Sequence, residues 1–111
     1  MEMDKRHNLK TEYKNIVKEY IDKLNSQGIH VKQAYIFGSQ IKGTAHKWSD
    51  LDICIISDSF GKDRPNERIK LMKIGDSIDD IIEPHPFSPE DFADKYNPFV
   101  QEIKRTGYQI I

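Results

Sequence analysis

The sequence predicts a small α/β (α+β) fold, a mixed β-sheet flanked by helices, and three observations carry that expectation. Short apolar runs at Val31–Phe37, Leu51–Ser57 and Ile78–Glu83 have the length of strands and are bounded by Gly, Pro or polar residues. Amphipathic stretches alternate with them in the order α-β-turn-β-α-β-α-α, which lays helices over a sheet. At 111 residues the chain is sized for one core, so residues 1–111 are expected to form a single domain.

Each element has its own local signal. Between Asn8 and Asn25, Ile16, Val17, Tyr20, Ile21 and Leu24 form the i, i+3/i+4, i+7 stripe of a helix, and Gly28 suits its stop. Val31 to Phe37 reads as a strand ended by a Gly38-Ser39 turn. Gln40 to Ser49 is polar, contains Gly43, and reads as a short helix or loop. Leu51 to Ser57 is an almost unbroken apolar run, the mark of a strand buried on both faces. Asp58 to Asn66 is a loop with Gly61 and Pro65. A second helix opens near Asn66 with Ile69, Leu71, Met72 and Ile74, and Gly75 lies near its end. The third strand, Ile78–Glu83, is expected to stop at Pro84 and Pro86, which cannot donate to a ladder. Ser88-Pro89-Glu90-Asp91 supplies an N-cap, Pro at N1 and first-turn acids. Asn97-Pro98 repeats the signal for a last helix to Thr106, with Gly107 as stop and Tyr108–Ile111 as a short edge strand. The link between the first two strands is about a dozen residues, so they need not be parallel.

Composition narrows the classes of function. A net charge of −1 and a pI near 6.4 give no global basic field, so a nucleic-acid partner remains possible but unsupported. Met1 to Lys10 is dense in charge and lacks the apolar stretch of a signal peptide. The longest apolar runs are about six residues, far short of the ~20 that cross a bilayer, so no membrane partner is expected. The single cysteine, Cys54, has no internal partner and reads as a small buried apolar residue. A cytoplasmic location follows as the expectation.

The chemistry concentrates in one spacing: Gly38-Ser39, ten residues, then Asp50-Leu51-Asp52. Side chains on a strand alternate, so Asp50 and Asp52 share a face about 6–7 Å apart. Two like charges held together call for a cation between them, and Mg²⁺ shares its shell between carboxylates and phosphates. Gly38 allows close approach of a ligand to the backbone. Ser39 offers a hydroxyl and an N–H, and a helix opening at Gln40 would add unpaired N–H groups that favour an anion. A P-loop fits less well: Gly38 and Gly43 have its glycine spacing, but Thr44 stands where that motif needs Lys. No G-x-G-x-x-G occurs.

Phe37-Gly38-Ser39, ten residues, and Ser49-Asp50-Leu51-Asp52 followed by Ile53-Cys54-Ile55-Ile56 closely resembles the signature of the nucleotidyltransferase superfamily that includes DNA polymerase beta. Lys42-Gly43-Thr44-Ala45 fits the small and basic filler of that signature. The resemblance covers Val31 to Phe87 and is to the minimal (MNT-type) members, a catalytic core without an accessory domain. It implies a nucleotidyltransferase-like fold and transfer of a nucleoside monophosphate, AMP foremost, from ATP or another NTP to a hydroxyl acceptor, releasing pyrophosphate. It implies two Mg²⁺ ions held by Asp50, Asp52 and a third carboxylate on a later strand. Asp79 fits that place best because it follows Ile78 and precedes an apolar run ending in Pro84. Asp80 comes second, and Glu83, about 13 Å further along an extended strand, is peripheral. Gly38 and Ser39 would hold the β- and γ-phosphates, Lys42 would neutralise the leaving group, and Asp79 would help remove the acceptor proton.

Minimal members also resemble antitoxins whose partner is a small helical HEPN-type protein. A core lacking one wall of the nucleotide cleft implies such a partner or a homo-oligomer. The acceptor stays open, because fold and signature do not set it. Among other polar residues, His46 and Trp48 lie near the acids, Trp48 either packing or stacking on a base. His85, between two prolines, reads as part of a rigid strand exit. His7 and His30 have no visible partner, and no two histidines have metal-ligand spacing.

Overall fold

Four strands lie in the order β3-β2-β1-β4 in the computed structural model, which describes residues 9–43 and 49–111. Along the chain the elements are α1 (Thr11–Ser26), β1 (Gln33–Phe37), α2 (Ser39–Lys42), β2 (Leu51–Ile56), α3 (Arg64–Asp76), β3 (Ile82–Phe87), α4 (Pro89–Phe92), α5 (Pro98–Thr106) and β4 (Tyr108–Gln109). β1 is antiparallel to both β2 and β4, whereas β2 and β3 are parallel. Connection length accounts for the difference. Among the described residues the stretch from β1 to β2 holds the four-residue α2, while the thirteen-residue α3 provides the crossover that a parallel pair needs. The expected mixed sheet flanked by helices is the fold found.

The third strand departs from expectation. It spans Ile82–Phe87 and contains Pro84 and Pro86 instead of stopping before them. β3 is an edge strand, and its odd-numbered residues face β2: Ile81 O accepts from Leu51 N at 2.8 Å, and Phe87 O from Ser57 N at 3.1 Å. The even-numbered prolines therefore turn their missing N–H groups to the open edge, where no ladder bond is lost. Residues 78–81 form the turn that precedes the strand, tied by Ile78 N and Asp79 N to Gly75 O at 2.8 and 2.9 Å.

Register sorts the side chains onto two faces. Ala34, Ile36, Leu51, Ile53, Ile55 and Ile82 pack against Val17, Tyr20 and Leu24 of α1 and Leu71 and Ile74 of α3. On the other face Tyr35, Phe37, Cys54 and Ile56 meet Phe92 of α4 and Val100 and Ile103 of α5. β2 is thus apolar on both sides, as its unbroken run predicts, and each fully buried Ile or Leu contributes about 1.5–3 kcal/mol. Tyr20 Oη donates to Leu71 O at 2.8 Å in the buried seam between α1 and α3. Gly75 lies inside α3, where a Cβ would stand 3.1 Å from Ile82 Cγ2, so glycine lets the helix sit close on β3.

The predicted caps form. Ser88 Oγ accepts from Asp91 N at 3.1 Å, and Asn97 Oδ1 accepts from Phe99 N and Val100 N at 3.0 and 3.3 Å. α3 begins two residues earlier than expected, at Arg64, behind a loop whose Gly61, Lys62 and Asp63 N–H groups all donate to the Glu67 carboxylate. Among the described residues, no helix is long and apolar enough to cross a membrane.

Candidate active site

Phe37, the last residue of β1, lies opposite Asp52 in β2, so the turn that follows β1 opens beside that carboxylate. Gly38 has φ +82° and ψ −153°, a region that only glycine reaches readily. A Cβ on Gly38 would overlap Asp52 Oδ2 and stand 3.2 Å from its Cγ. Glycine is therefore demanded twice, by the backbone and by the carboxylate. The chain then enters α2 at Ser39, where the sequence places the anion-facing turn. Gln40, buried in this short helix, donates through Nε2 to Ser49 O at 3.3 Å and fixes the turn against the approach to β2.

The parallel register sets Asp52 beside Glu83 and Cys54 beside His85. His85 Nε2 lies 3.1 Å from Asp52 Oδ1, with both side chains about four-fifths buried. One ligand atom from each of Asp52, Glu83 and His85 falls within 4.8 Å of the others. Asp50 is exposed just before β2, and its carboxyl shares a hydrogen bond with Glu83. Burial, then that hydrogen bond, then the Asp52 charge push the Glu83 carboxyl above its ordinary range, with His85 opposing. Arg68 of α3 donates through Nη2 to Glu83 Oε1 at 3.2 Å and braces the far side of the group.

Glu83, not Asp79, is thus the carboxylate beside Asp52. Asp79 sits in the turn before β3, where its Oδ1 accepts from Ile81 N at 3.0 Å, and Asp80 is exposed in the same turn. The cause is the shifted strand: once β3 runs through the prolines, Glu83 is its second residue and stands level with Asp52. Lys42 is exposed at the end of α2 and forms an ion pair with Glu102 of α5 at 3.6 Å. His30 is exposed on the segment before β1. His7, Thr44, Ala45, His46 and Trp48 lie outside the described residues.

His85 belongs to the site and was not legible as such from sequence. Its signal was the alternation Glu83-Pro84-His85-Pro86-Phe87, which puts every second residue on one face once the segment is taken as an edge strand. Phe37 meets the imidazole edge-on at 5.0 Å between centroids, and Phe99 lies 5.5 Å from Phe37 and 6.1 Å from His85. These rings wall one side of the acids, and Phe99 keeps 44% of its surface exposed. The clustered donors suit a divalent cation, with hard carboxylate oxygens from Asp52 and Glu83 and one imidazole nitrogen from His85, while Asp50 stands outside this trio beside Glu83. Carboxylates gathered this closely favour a positive partner, and Arg68 supplies one on the Glu83 side.

The chain matches the family model described as nucleotidyltransferase domain over residues 14–105. No curated protein matches it in sequence. Among solved structures it is similar to a protein from Sulfolobus solfataricus provisionally assigned as a nucleotidyltransferase, with a TM-score of 0.56 and 19% identity over 71% of this chain and 69% of that one. It is also similar to a chain in a crystal structure of a toxin–antitoxin with AMP-PNP, with a TM-score of 0.57 and 20% identity over 88% of this chain and 72% of that one.

Proposed function

This chain belongs to the nucleotidyltransferase domain family, and on that premise we propose that it transfers a nucleoside monophosphate, AMP foremost, from an NTP to a hydroxyl acceptor. The observation that carries the reading is the fit of Gly38 against Asp52: the turn that would hold phosphate and the carboxylate that would hold metal are in contact. The signature spacing thereby becomes one site.

In this mechanism Asp50, Asp52 and Glu83 would hold Mg²⁺, two ions in the full arrangement, with Glu83 in the role that the resemblance implies for Asp79. When bound, the metal neutralises the triphosphate and stabilises charge on the entering and leaving oxygens. Gly38 brings its backbone close to the β- and γ-phosphates, and Ser39 adds a hydroxyl and an N–H. Lys42 turns from Glu102 to the leaving pyrophosphate; an exposed ion pair is worth at most ~1 kcal/mol, so it is easily exchanged. The acceptor oxygen forms its bond to the α-phosphorus as the bond from that phosphorus to the bridging oxygen breaks, and pyrophosphate departs. Glu83, half-buried beside Asp52, is placed to take the hydroxyl proton. Most of the catalysis is positioning, which a small rigid sheet can supply.

A second role, as an antitoxin that binds and neutralises a HEPN-type partner, draws support from the structural neighbour that is a toxin–antitoxin with AMP-PNP. Exposed Ile69 and Met72 on α3, and Tyr96 and Phe99 around the start of α5, supply apolar surface that a partner or a second copy would cover. The test is mass spectrometry of the protein, and of any partner that co-purifies, after incubation with Mg²⁺ and each NTP. Transfer should appear in the native protein and vanish in Asp50→Ala and Asp52→Ala; undiminished transfer in both would overturn the assignment.

A further inference from the structure

We propose that His85 is itself a metal ligand, so that this site prefers Mn²⁺ or Co²⁺ to Mg²⁺; the inference rests on the nucleotidyl-transfer reading above. His85 sits within β3 between Pro84 and Pro86, and its register beside Cys54 puts the imidazole on the same sheet face as Asp52 and Glu83. The ring is mostly buried, with Phe37 edge-on to it and Phe99 beyond. Its Nε2 is thereby aimed at the carboxylates and not at solvent.

Distance agrees with shared ligation. Two neighbouring ligands each about 2.1 Å from an ion stand about 3.0 Å apart, and opposite ones about 4.2 Å. Nε2 to Asp52 Oδ1 is 3.1 Å, and the Glu83 oxygen completes a set within 4.8 Å. Glu83, partly exposed and held through Oε1 by Arg68, would rotate its carboxylate to bring an oxygen into the same shell. The chemistry then sets the preference. Mg²⁺ keeps to oxygen ligands and water, whereas an imidazole nitrogen favours first-row transition ions. Charge points the same way: a neutral donor adds a bond in a site already crowded with carboxylates, without adding repulsion.

The experiment uses the full chain loaded with Mn²⁺ alone, without nucleotide, and reads electron spin echo modulation from a directly bound nitrogen. The native protein should show imidazole ¹⁴N modulation, which changes to the ¹⁵N pattern when the protein carries ¹⁵N-histidine; this arm needs no variant. In His85→Gln the modulation should disappear, Co²⁺ affinity by calorimetry should fall at least about tenfold, and Mg²⁺ affinity should change much less. Absence of nitrogen modulation in the Mn²⁺-loaded native protein, its persistence in His85→Gln, or failure to bind Mn²⁺ would each overturn the proposal. The two readings fail separately. Nitrogen-coupled Mn²⁺ without nucleotidyl transfer defeats the proposed function, and transfer without nitrogen coupling defeats this ligand.

Discussion

Replacing Gly38 with Ala strikes the backbone and the candidate metal ligand at once. At φ +82° and ψ −153° an alanine costs about 1–3 kcal/mol in conformation alone. Its Cβ would also occupy the place of Asp52 Oδ2, so the carboxylate must swing away and lose its 3.1 Å contact with His85, about 1 kcal/mol more. The sum, about 2–4 kcal/mol, is below the total stability of most domains of this size, so the variant should still fold. At about 4 °C per kcal/mol the melting temperature should fall by about 8–16 °C. Thermal and urea unfolding followed by circular dichroism measure this directly. The decisive comparison is the same change in an Asp52→Ala background, where the overlap is gone and only the backbone cost remains. The loss there should be smaller by about 1 kcal/mol. A melting temperature unmoved by Gly38→Ala, or an equal loss in both backgrounds, would refute the close fit of turn and carboxylate.

Other outcomes follow from single groups. Tyr20→Phe removes the donor to Leu71 O in the α1–α3 seam and should cost about 1–3 kcal/mol in urea unfolding; an unchanged midpoint would mean the bond contributes nothing. Cys54 is fully buried, and burial pushes its thiol well above its ordinary range, so a thiol reagent at pH 8 should label the unfolded chain and spare the folded one. Rapid labelling of the native protein would contradict that burial. In metal-free protein the folded state holds the Glu83 proton more tightly than the unfolded state, whose value is near 4.5. Below that value both states are protonated. As pH rises through the folded value, the folded state must ionise a half-buried carboxyl, and stability falls. Glu83→Gln should lose this fall, and an identical pH–stability curve in the variant would show that Glu83 does not carry it.

The sequence made legible whatever local chemistry dictates. The α1 stripe, the doubly buried β2 and the caps at Ser88 and Asn97 depend on near neighbours, and the short link between β1 and β2 brings the Gly38 turn against Asp52. The third strand did not follow, because Pro84 and Pro86 break a central strand but are harmless on an edge whose even-numbered residues face outward. Edge position is a property of the whole sheet and no local signal reports it. With the strand ended before the prolines, the resemblance favours Asp79 and His85 reads as a strand exit, whereas in the sheet Glu83 and His85 stand beside Asp52. Phe99 was hidden for a related reason: only the placement of α5 against the face bearing Phe37 and His85 brings it to the acids.

Because β2 is hydrogen-bonded on both sides and apolar on both faces, Asp52 is anchored in the segment expected to open last. Its neighbouring amides should exchange hydrogen only when the whole protein opens, whereas those of β4, two residues long at the far edge, should exchange through local fraying. Asp52, rooted this way, has little freedom to move, whereas Asp50 before the strand and Glu83 on the edge strand can adjust around it. Phe99, carried by α5 and 44% exposed beside Phe37 and His85, is the part of this surface left open to whatever binds there.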